Sequence, residues 1–296
     1  MRIIQRKKIW FSISGILVIA SILALLVWGL NLGIDFSGGT LVEFQFDEVL
    51  PENNEIKDAL QDMNLKDLSV ASLADKNVIL RFKNVEGGDH AKITNTLKEK
   101  FEGVEELNFE EVGPTIGKEL KKKSIDALII VIIAIVFYVA WAFRKVSKPV
   151  ASWKYGVAAI IALIHDILIV AGVFAVLGKF CGVEVGVSFI AALLTILGYS
   201  VNDTIVVFDR ARGNLFKGGR ETFEEVINRS INETISRSLN TSITTFLALW
   251  AVYAFGGESI KYFMLALMIG VIVGTYSSIF IAGPLIVAWE KWQNKA

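Results

Sequence analysis

Long apolar runs alternate with shorter polar segments along most of the chain. A membrane-spanning helix needs about 20 mostly apolar residues to cross a hydrocarbon core of roughly 30 Å. Six segments meet this length, approximately Ile9–Leu30, Ser124–Phe143, Trp153–Leu177, Gly186–Phe208, Ser236–Phe255 and Tyr262–Trp289. The pattern therefore predicts six transmembrane helices, of which the last is long enough to be tilted or to bend near Pro284.

Residues 31–123, between the first two apolar runs, have the mixed pattern of a folded aqueous domain. Strands are expected where apolar and polar positions alternate, and helices where apolar residues recur every three or four positions. The predicted elements are, in order, a strand over 40–46, a helix over 53–63, two strands within 68–82 that turn near 75–77, a helix over 89–101 and a strand over 104–109. The order βαββαβ predicts a small ferredoxin-like α+β domain.

Lys and Arg residues in the short segments beside the apolar runs set the expected orientation. Sixteen of them lie on the side of both termini, whereas only Lys179 and Lys261 lie on the other side. Because Lys and Arg are enriched in cytoplasmic loops, both termini are expected to be cytoplasmic.

The first apolar run has about 22 residues, longer than the 7–15 of a signal peptide, and it is interpreted as a retained helix.

This topology divides the chain into three segments. Residues 1–30 contain the cytoplasmic N-terminus and the first helix, and residues 31–123 form an extracytoplasmic domain. Residues 124–296 form a five-helix membrane region with a cytoplasmic loop over 209–235. Residues 221–235 of that loop have the pattern of an amphipathic helix, which either lies along the membrane surface or contacts a partner.

Composition and charge exclude several classes of function. Hydrophobic residues make up 53% of the 296 residues, while 30 Lys and Arg balance 30 Asp and Glu, so no basic field attracts nucleic acid. One cysteine, Cys181, and two histidines leave no internal disulfide and no multi-histidine metal site. The segment GPTIGKE at 113–119 lacks the spacing and the Ser or Thr of a phosphate-binding loop. Neither an enzyme nor a cofactor-dependent protein is expected.

Charged residues inside the predicted membrane helices are the candidates for function. A centrally placed charge costs at least about 2.5–3.5 kcal/mol, so such residues usually face the helix bundle and have a role. Asp203 lies about 9 Å from the cytoplasmic end of the fourth helix, and Arg237 lies at most about 12 Å into the fifth. Because these helices are antiparallel, the two residues reach the same level and are expected to pair. A static pair that only helps assembly is the alternative.

Other polar residues at membrane depth extend this candidate site. Four side chains beside the expected pair predict a polar path for protons, and interhelical packing is the alternative role. These residues are Asn202, Thr204, Asn240 and Thr241. His165 and Asp166, near the middle of the third helix, form either a proton relay or a structural pair. This second site ranks below Asp203.

Five motifs along the chain are those of a known family. They are GIDFSGG at 33–39, VGPTIGKEL at 112–120, HDI at 165–167, GYSVNDTIVVFDRARGNL at 198–215 and SRSLNTSITTFLALWAVYAFGG at 236–257. Over nearly its whole length the chain resembles the SecF proteins of the SecD/SecF family, which belongs to the resistance-nodulation-division superfamily.

The resemblance implies an accessory subunit of the Sec translocase in the prokaryotic cytoplasmic membrane. Such a subunit forms a complex with SecD, works beside the SecYEG channel and uses the proton-motive force to help export unfolded preproteins. The resemblance also places the family's proton-coupling aspartate and arginine on Asp203 and Arg237, and the family's HD element on Asp166. Two alternatives stand: a proton-coupled half-transporter that exports small molecules, and a scaffold whose external domain only binds partners.

Overall fold

A computed structural model describes residues 1–47, 50–63, 65–72, 76–83, 89–143, 151–218 and 220–293. The chain divides into two compact units, one comprising Met1–Asn31 and Ile125–Ala296, the other Leu32–Ser124. Each unit has its own cluster of buried apolar side chains.

Helices account for most of the described chain. In chain order they are α1 (Lys7–Val27), α2 (Ile34–Ser37), α3 (Asn53–Ala59), α4 (Asp89–Lys100), α5 (Pro114–Ala142), α6 (Ser152–Cys181), α7 (Val187–Phe216), α8 (Phe223–Phe255), α9 (Glu258–Ser277) and α10 (Gly283–Gln293). Within the described ranges, six helical segments are long and apolar enough to cross a membrane, and they correspond to α1, α5, α6, α7, α8 and the α9–α10 pair. The six predicted transmembrane helices are confirmed.

The last membrane segment is continuous but changes its helical form in the middle. A π-helical turn, Ser278–Ala282, connects α9 to α10, and Pro284 follows it directly. Proline lacks an N–H, and its ring collides with the carbonyl four residues earlier in a regular α-helix. The wider π turn relieves this conflict, which accounts for the irregularity expected near Pro284.

The amphipathic segment predicted at 221–235 is the first part of α8 and not a separate helix. A capping box starts α8, because the Thr222 hydroxyl accepts from the Glu225 N–H and the Glu225 carboxylate accepts from the Thr222 N–H. The helix then continues without a break to Phe255. A helix that continues into a membrane span does not lie along the membrane surface, so that alternative is wrong.

The early part of α8 contacts other parts of its own chain. The Asn228 side chain accepts from the N–H groups of Ile3 and Ile4, at 2.9 and 3.3 Å. Glu233 forms an ion pair with Arg210 of α7 at 2.5 Å. The N-terminal segment and α7 therefore cover part of the surface of this segment. The loop at 144–150 lies outside the described residues.

Small residues let the membrane helices approach closely. A Cβ atom at Gly172 of α6 would lie 2.3 Å from the Cβ of Ser21 in α1. In α9, a Cβ at Gly274 would lie 3.0 Å from the Cβ of Ser200 in α7. Close contact at such positions supplies the packing that holds membrane helices together where the hydrophobic effect contributes little.

The unit Leu32–Ser124 is built around one antiparallel sheet. Its described strands are β1 (Gly39–Phe46), β2 (Ser69–Ser72), β3 (Asn77–Phe82) and β4 (Val104–Val112), in the order β2-β3-β1-β4. The core contains Val42 and Phe44 from β1, Ile56 from α3 and Ile93 from α4, all fully buried. The predicted βαββαβ order is confirmed. The turn expected near 75–77 begins at a residue outside the described ranges.

Two of the sequence motifs meet within this unit. Gly38 has a φ of +71°, and a Cβ atom there would lie 2.8 Å from the Cα of Pro114. A Cβ atom at Gly117 would lie 3.0 Å from the backbone nitrogen of Gly38. The first motif therefore packs backbone to backbone against the second, and any side chain at Gly38 is excluded by both its φ angle and its neighbour.

We predict that Gly172→Ala lowers the free energy of unfolding by about 1–3 kcal/mol, because the added methyl group displaces α1 from α6. Thermal unfolding of the detergent-solubilised protein measures the effect. Gly198→Ala is the matched control, since a Cβ at Gly198 of α7 has no neighbour within 4 Å among the described residues. Equal stability of the two variants would contradict the assigned α1–α6 contact.

Candidate functional site

Asp166 lies at the point where three membrane helices meet. Its side chain on α6 is completely buried. Its Oδ2 atom accepts hydrogen bonds from Ser200 of α7 at 2.6 Å and from Ser277 of α9 at 2.8 Å. Its Oδ1 atom is 2.9 Å from Nδ1 of His165. Each helix therefore contributes a polar group to one carboxyl group.

These contacts compensate for the burial of Asp166. A buried carboxylate without hydrogen bonds costs several kcal/mol, so it either gains donors or becomes neutral. Hydrogen bonds to an ionised group are roughly twice as strong as bonds between neutral groups. The carboxyl group of Asp166 thus ties α6, α7 and α9 together while its own charge state depends on the same contacts.

His165 faces a different part of the bundle from Asp166. Its ring is 6% exposed and stacks on Tyr276 of α9 with 6.1 Å between ring centroids. Its Nε2 atom has no hydrogen-bond partner among the described residues. The imidazole also lines a largely apolar cavity of about 330 Å³ together with Ser14 of α1 and Leu285 of α10. The His165–Asp166 pair therefore extends from this cavity to the centre of the bundle.

Asp203 lies on α7, one turn beyond Ser200, and its environment is of the same type as that of Asp166. Its carboxyl group is half-buried and accepts hydrogen bonds from two hydroxyl groups. One comes from Ser238 of α8, and the other, at 2.5 Å, from Ser278 at the start of the π turn. Because Ser277 contacts Asp166 and Ser278 contacts Asp203, two adjacent residues connect the two carboxyl groups.

Further hydroxyl groups continue this network between α7, α8 and α9. Ser242 of α8 is 2.5 Å from Thr275 of α9, and it accepts from the Tyr199 hydroxyl at 3.0 Å. These hydroxyl groups and the serine donors of the two carboxyl groups were not identified from the sequence. Small size serves both close packing and hydrogen bonding, so the pattern alone does not separate the two roles.

Arg237 does not form the expected ion pair with Asp203 in the described part of the chain. Its side chain is exposed, whereas the next residue, Ser238, is buried against α7. Adjacent residues in an α-helix point about 100° apart, so when Ser238 faces Asp203, Arg237 points toward the neighbouring face. The contact between Ser238 and Asp203 shows that α7 and α8 are level at this point, but a shared level does not determine which face of a helix a residue occupies.

The four residues of the predicted polar path do not lie together inside this chain. Asn202, Asn240 and Thr241 are exposed, and Thr204 is buried with no hydrogen-bond partner for its hydroxyl among the described residues. The internal polar contacts belong instead to the serine and threonine hydroxyls described above. Arg237, Asn240 and Thr241 form an exposed polar face of α8, which we call the outer α8 face.

Comparisons with known proteins agree with the motifs. The family model "Protein export membrane protein SecD/SecF, C-terminal" matches residues 92–292, and the "SecD/SecF GG Motif" matches residues 24–48. Protein translocase subunit SecF of Thermobaculum terrenum is 42% identical over 98% of this chain and 94% of its own length. That of Anaerolinea thermophila is 37% identical over 99% and 96%. The chain belongs to the SecD/SecF family. It is a multi-pass membrane protein of the SecF type, a subunit of the protein translocase.

Solved structures of SecDF have the same fold. The crystal structure of SecDF, a translocon-associated membrane protein from Thermus thermophilus, matches with a TM-score of 0.85 and 32% identity over 97% of this chain. SecDF in a super-membrane-facing form matches with a TM-score of 0.71 and 31% identity. The SecF-type chain spans 38% and 39% of the lengths of those two polypeptides. It therefore corresponds to one part of each longer SecDF chain.

We predict that Asp166→Ala destabilises the SecF-type chain by about 2 kcal/mol, because it removes the carboxyl group that Ser200, Ser277 and His165 share. Unfolding of the purified protein in detergent measures this loss. Asp203→Ala is the matched control, and a smaller loss is expected because Asp203 is only half-buried. If both variants lost the same stability, Asp166 would not be the link between α6, α7 and α9.

Proposed function

We propose that this SecF-family subunit forms a complex with SecD and works beside the SecYEG channel. In this proposal it couples the proton-motive force to the export of unfolded preproteins across the prokaryotic cytoplasmic membrane. Asp203 and Asp166 are the proposed proton-binding groups, with His165 and Arg237 as their partners. The observation that carries the proposal is the pair of carboxyl groups joined by Ser277 and Ser278 inside the membrane helices.

The contacts of Asp203 support a role in proton binding. Both of its oxygens accept from serine hydroxyls, and no cation lies within ion-pair distance in the described part of the chain. A charge inside the membrane costs at least about 2.5–3.5 kcal/mol unless it is paired. A carboxyl group with only neutral donors therefore changes its charge state when the surrounding donors change.

Arg237 gives Asp203 an alternative partner in the proposed cycle. A rotation of α8 by one residue position, about 100°, would replace Ser238 by Arg237 opposite Asp203. The carboxyl group would then hold a proton beside Ser238 and lose it beside the arginine. Proton transfer and helix rotation would be coupled in this way. A proton that crosses a potential of 100 mV releases about 2.3 kcal/mol, which is available to move the helices and the extracytoplasmic unit.

The outer α8 face supports the partnership with SecD. Polar side chains are expensive when they face hydrocarbon, and an exposed Arg at membrane depth needs an acceptor. Arg237, Asn240 and Thr241 therefore require cover from outside the chain. The SecDF structures contain longer polypeptides, of which this chain covers less than two fifths, and we assign the remaining helices of such an assembly to this face.

The topology expected from the Lys and Arg residues completes the proposal. Both termini and the turn between α7 and α8 lie in the cytoplasm, and residues 31–123 lie outside. Hydrogen bonds from the N-terminal segment to Asn228 support this topology, because they join two parts of the chain that it assigns to the same side of the membrane. Residues 1–30, 31–123 and 124–296 then act as the N-terminal anchor, the preprotein-handling domain and the proton-coupled helices.

We predict that Asp203→Asn abolishes proton-dependent export without preventing assembly with SecD, because the amide does not take up and release the proton. Export of a secreted reporter is measured in cells depleted of their native SecF, with and without a protonophore. Asp209→Asn is the control, since this exposed residue, about two turns before the end of α7, pairs with Arg212 outside the network. Normal protonophore-sensitive export by Asp203→Asn would disprove the proposed role.

We predict that the outer α8 face contacts SecD directly. In a Cys181→Ser background, Asn240→Cys should cross-link to a cysteine-scanned SecD in native membranes. Ile161→Cys, an exposed position on α6, should remain uncross-linked and serves as the control. Cross-linking at position 161 but not at 240 would move the interface to another helix. Cross-linking of 240 to a second copy of the chain would favour the half-transporter.

A further inference from the structure

Ser277 and Ser278 occupy the junction between α9 and the π turn. Both side chains are completely buried. The Ser277 hydroxyl donates to Asp166 at 2.8 Å, and the Ser278 hydroxyl donates to Asp203 at 2.5 Å. The two hydroxyl groups that donate to Asp166 of α6 and Asp203 of α7 therefore belong to adjacent residues.

Each of these hydroxyl groups has a second acceptor within its own helix. The Ser277 hydroxyl is 3.1 Å from the carbonyl oxygen of Gly274, and the Ser278 hydroxyl is 3.0 Å from that of Thr275. A hydroxyl carries one proton, so it divides its hydrogen bond between the carboxyl group and the backbone. A change in the charge of the carboxyl group therefore changes how strongly the serine bonds to its own helix.

The backbone at this junction is suited to respond. Serine bonds to the carbonyl three or four residues earlier often bend a helix. A π turn contains one more residue per turn than the α-helix, and a change between the two forms shifts the helix register by one residue. Because Ser277 and Ser278 are consecutive, any such adjustment at one serine alters the direction of the other.

We propose that Ser277 and Ser278 are positioning residues that couple the protonation of Asp203 to that of Asp166 through the α9–π junction. This inference rests on the proposed function, since it concerns how the two proton-binding groups communicate. The helices packed around Asp203 also contribute ionisable groups near it, which include His165 and Asp166 on α6, Tyr199, Asp209 and Arg210 on α7, Glu233 and Arg237 on α8 and Tyr276 on α9. Of these groups, Asp166 is the carboxyl group that bonds to Ser277, the residue next to the Ser278 donor of Asp203.

Infrared titration of the purified complex with SecD tests the coupling. The carboxyl band of Asp203 is assigned by its absence in Asp203→Asn, and its pH titration is then followed in Ser277→Ala. Ser277 contacts Asp166 and not Asp203, so a purely local role leaves the Asp203 band unchanged. We expect its midpoint to move by about one pH unit, as the loss of a hydrogen bond to a charged group implies.

The pH profile of export in inverted membrane vesicles gives a second readout. Ser277→Ala and Ser278→Ala should each move the midpoint of the profile. The double variant should move the midpoint by less than the sum of the two shifts, because the first substitution already removes the coupling between the two carboxyl groups. Ser278→Thr, which keeps the hydroxyl, should restore the wild-type profile. Ser14→Ala is the control, since this buried hydroxyl donates to Tyr276 and not to a carboxyl group.

The outcomes separate this inference from the proposed function. An unchanged Asp203 titration in Ser277→Ala, or strictly additive shifts in the double variant, would overturn the coupling. If the coupling were overturned but Asp203→Asn still lost proton-dependent export in the same vesicles, the proposed function would stand without the coupling. If Asp203→Asn exported normally, the proposed function itself would fail.

Discussion

The structure of the membrane unit depends on the cost of placing a carboxyl group in hydrocarbon. Asp166 is completely buried, so three helices must approach closely enough to supply it with hydrogen-bond donors. The approach of α7 to α9 requires Gly274, where a Cβ would lie 3.0 Å from the Cβ of Ser200. The small residues and the hydroxyls therefore belong to one arrangement. Glycine brings the helices together, and serine then reaches the carboxyl group.

Helix α8 has two faces with different chemistry. Ser238 and Ser242 face α7 and α9 and complete the internal hydroxyl network. Arg237, Asn240 and Thr241 face outward, where nothing in the described part of the chain covers them. Polar groups inside the membrane are stable on both faces of a helix only if protein covers both faces, because hydrocarbon offers no hydrogen-bond partners. In the proposed complex the same helix thus contributes to the internal carboxyl network and to the contact with SecD.

Hydropathy and periodicity in the sequence are sufficient to predict the six membrane helices and the βαββαβ unit, because length and alternation are local properties of the chain. The start of α8 is different, since hydropathy locates the change from polar to apolar residues but does not reveal that one helix continues through it. Ser238, and not Arg237, faces Asp203, because rotation about the helix axis depends on tertiary packing. The serine donors were missed for a related reason, since each is small enough for packing alone.

The energies involved are compatible with a rotation of α8 as the moving step in the proposed cycle. An unpaired charge at membrane depth costs at least about 2.5–3.5 kcal/mol, and a proton crossing 100 mV supplies about 2.3 kcal/mol before any pH gradient is added. Since these quantities are similar, a single proton on Asp203 is enough to bias the choice between a serine partner and an arginine partner. Breaking a buried ion pair by removing one partner costs about 3–5 kcal/mol, so a permanently formed Asp203–Arg237 pair would hold the helices in one state. The exposed Arg237 beside a serine-bound Asp203 is therefore compatible with one of the two states of the proposed cycle.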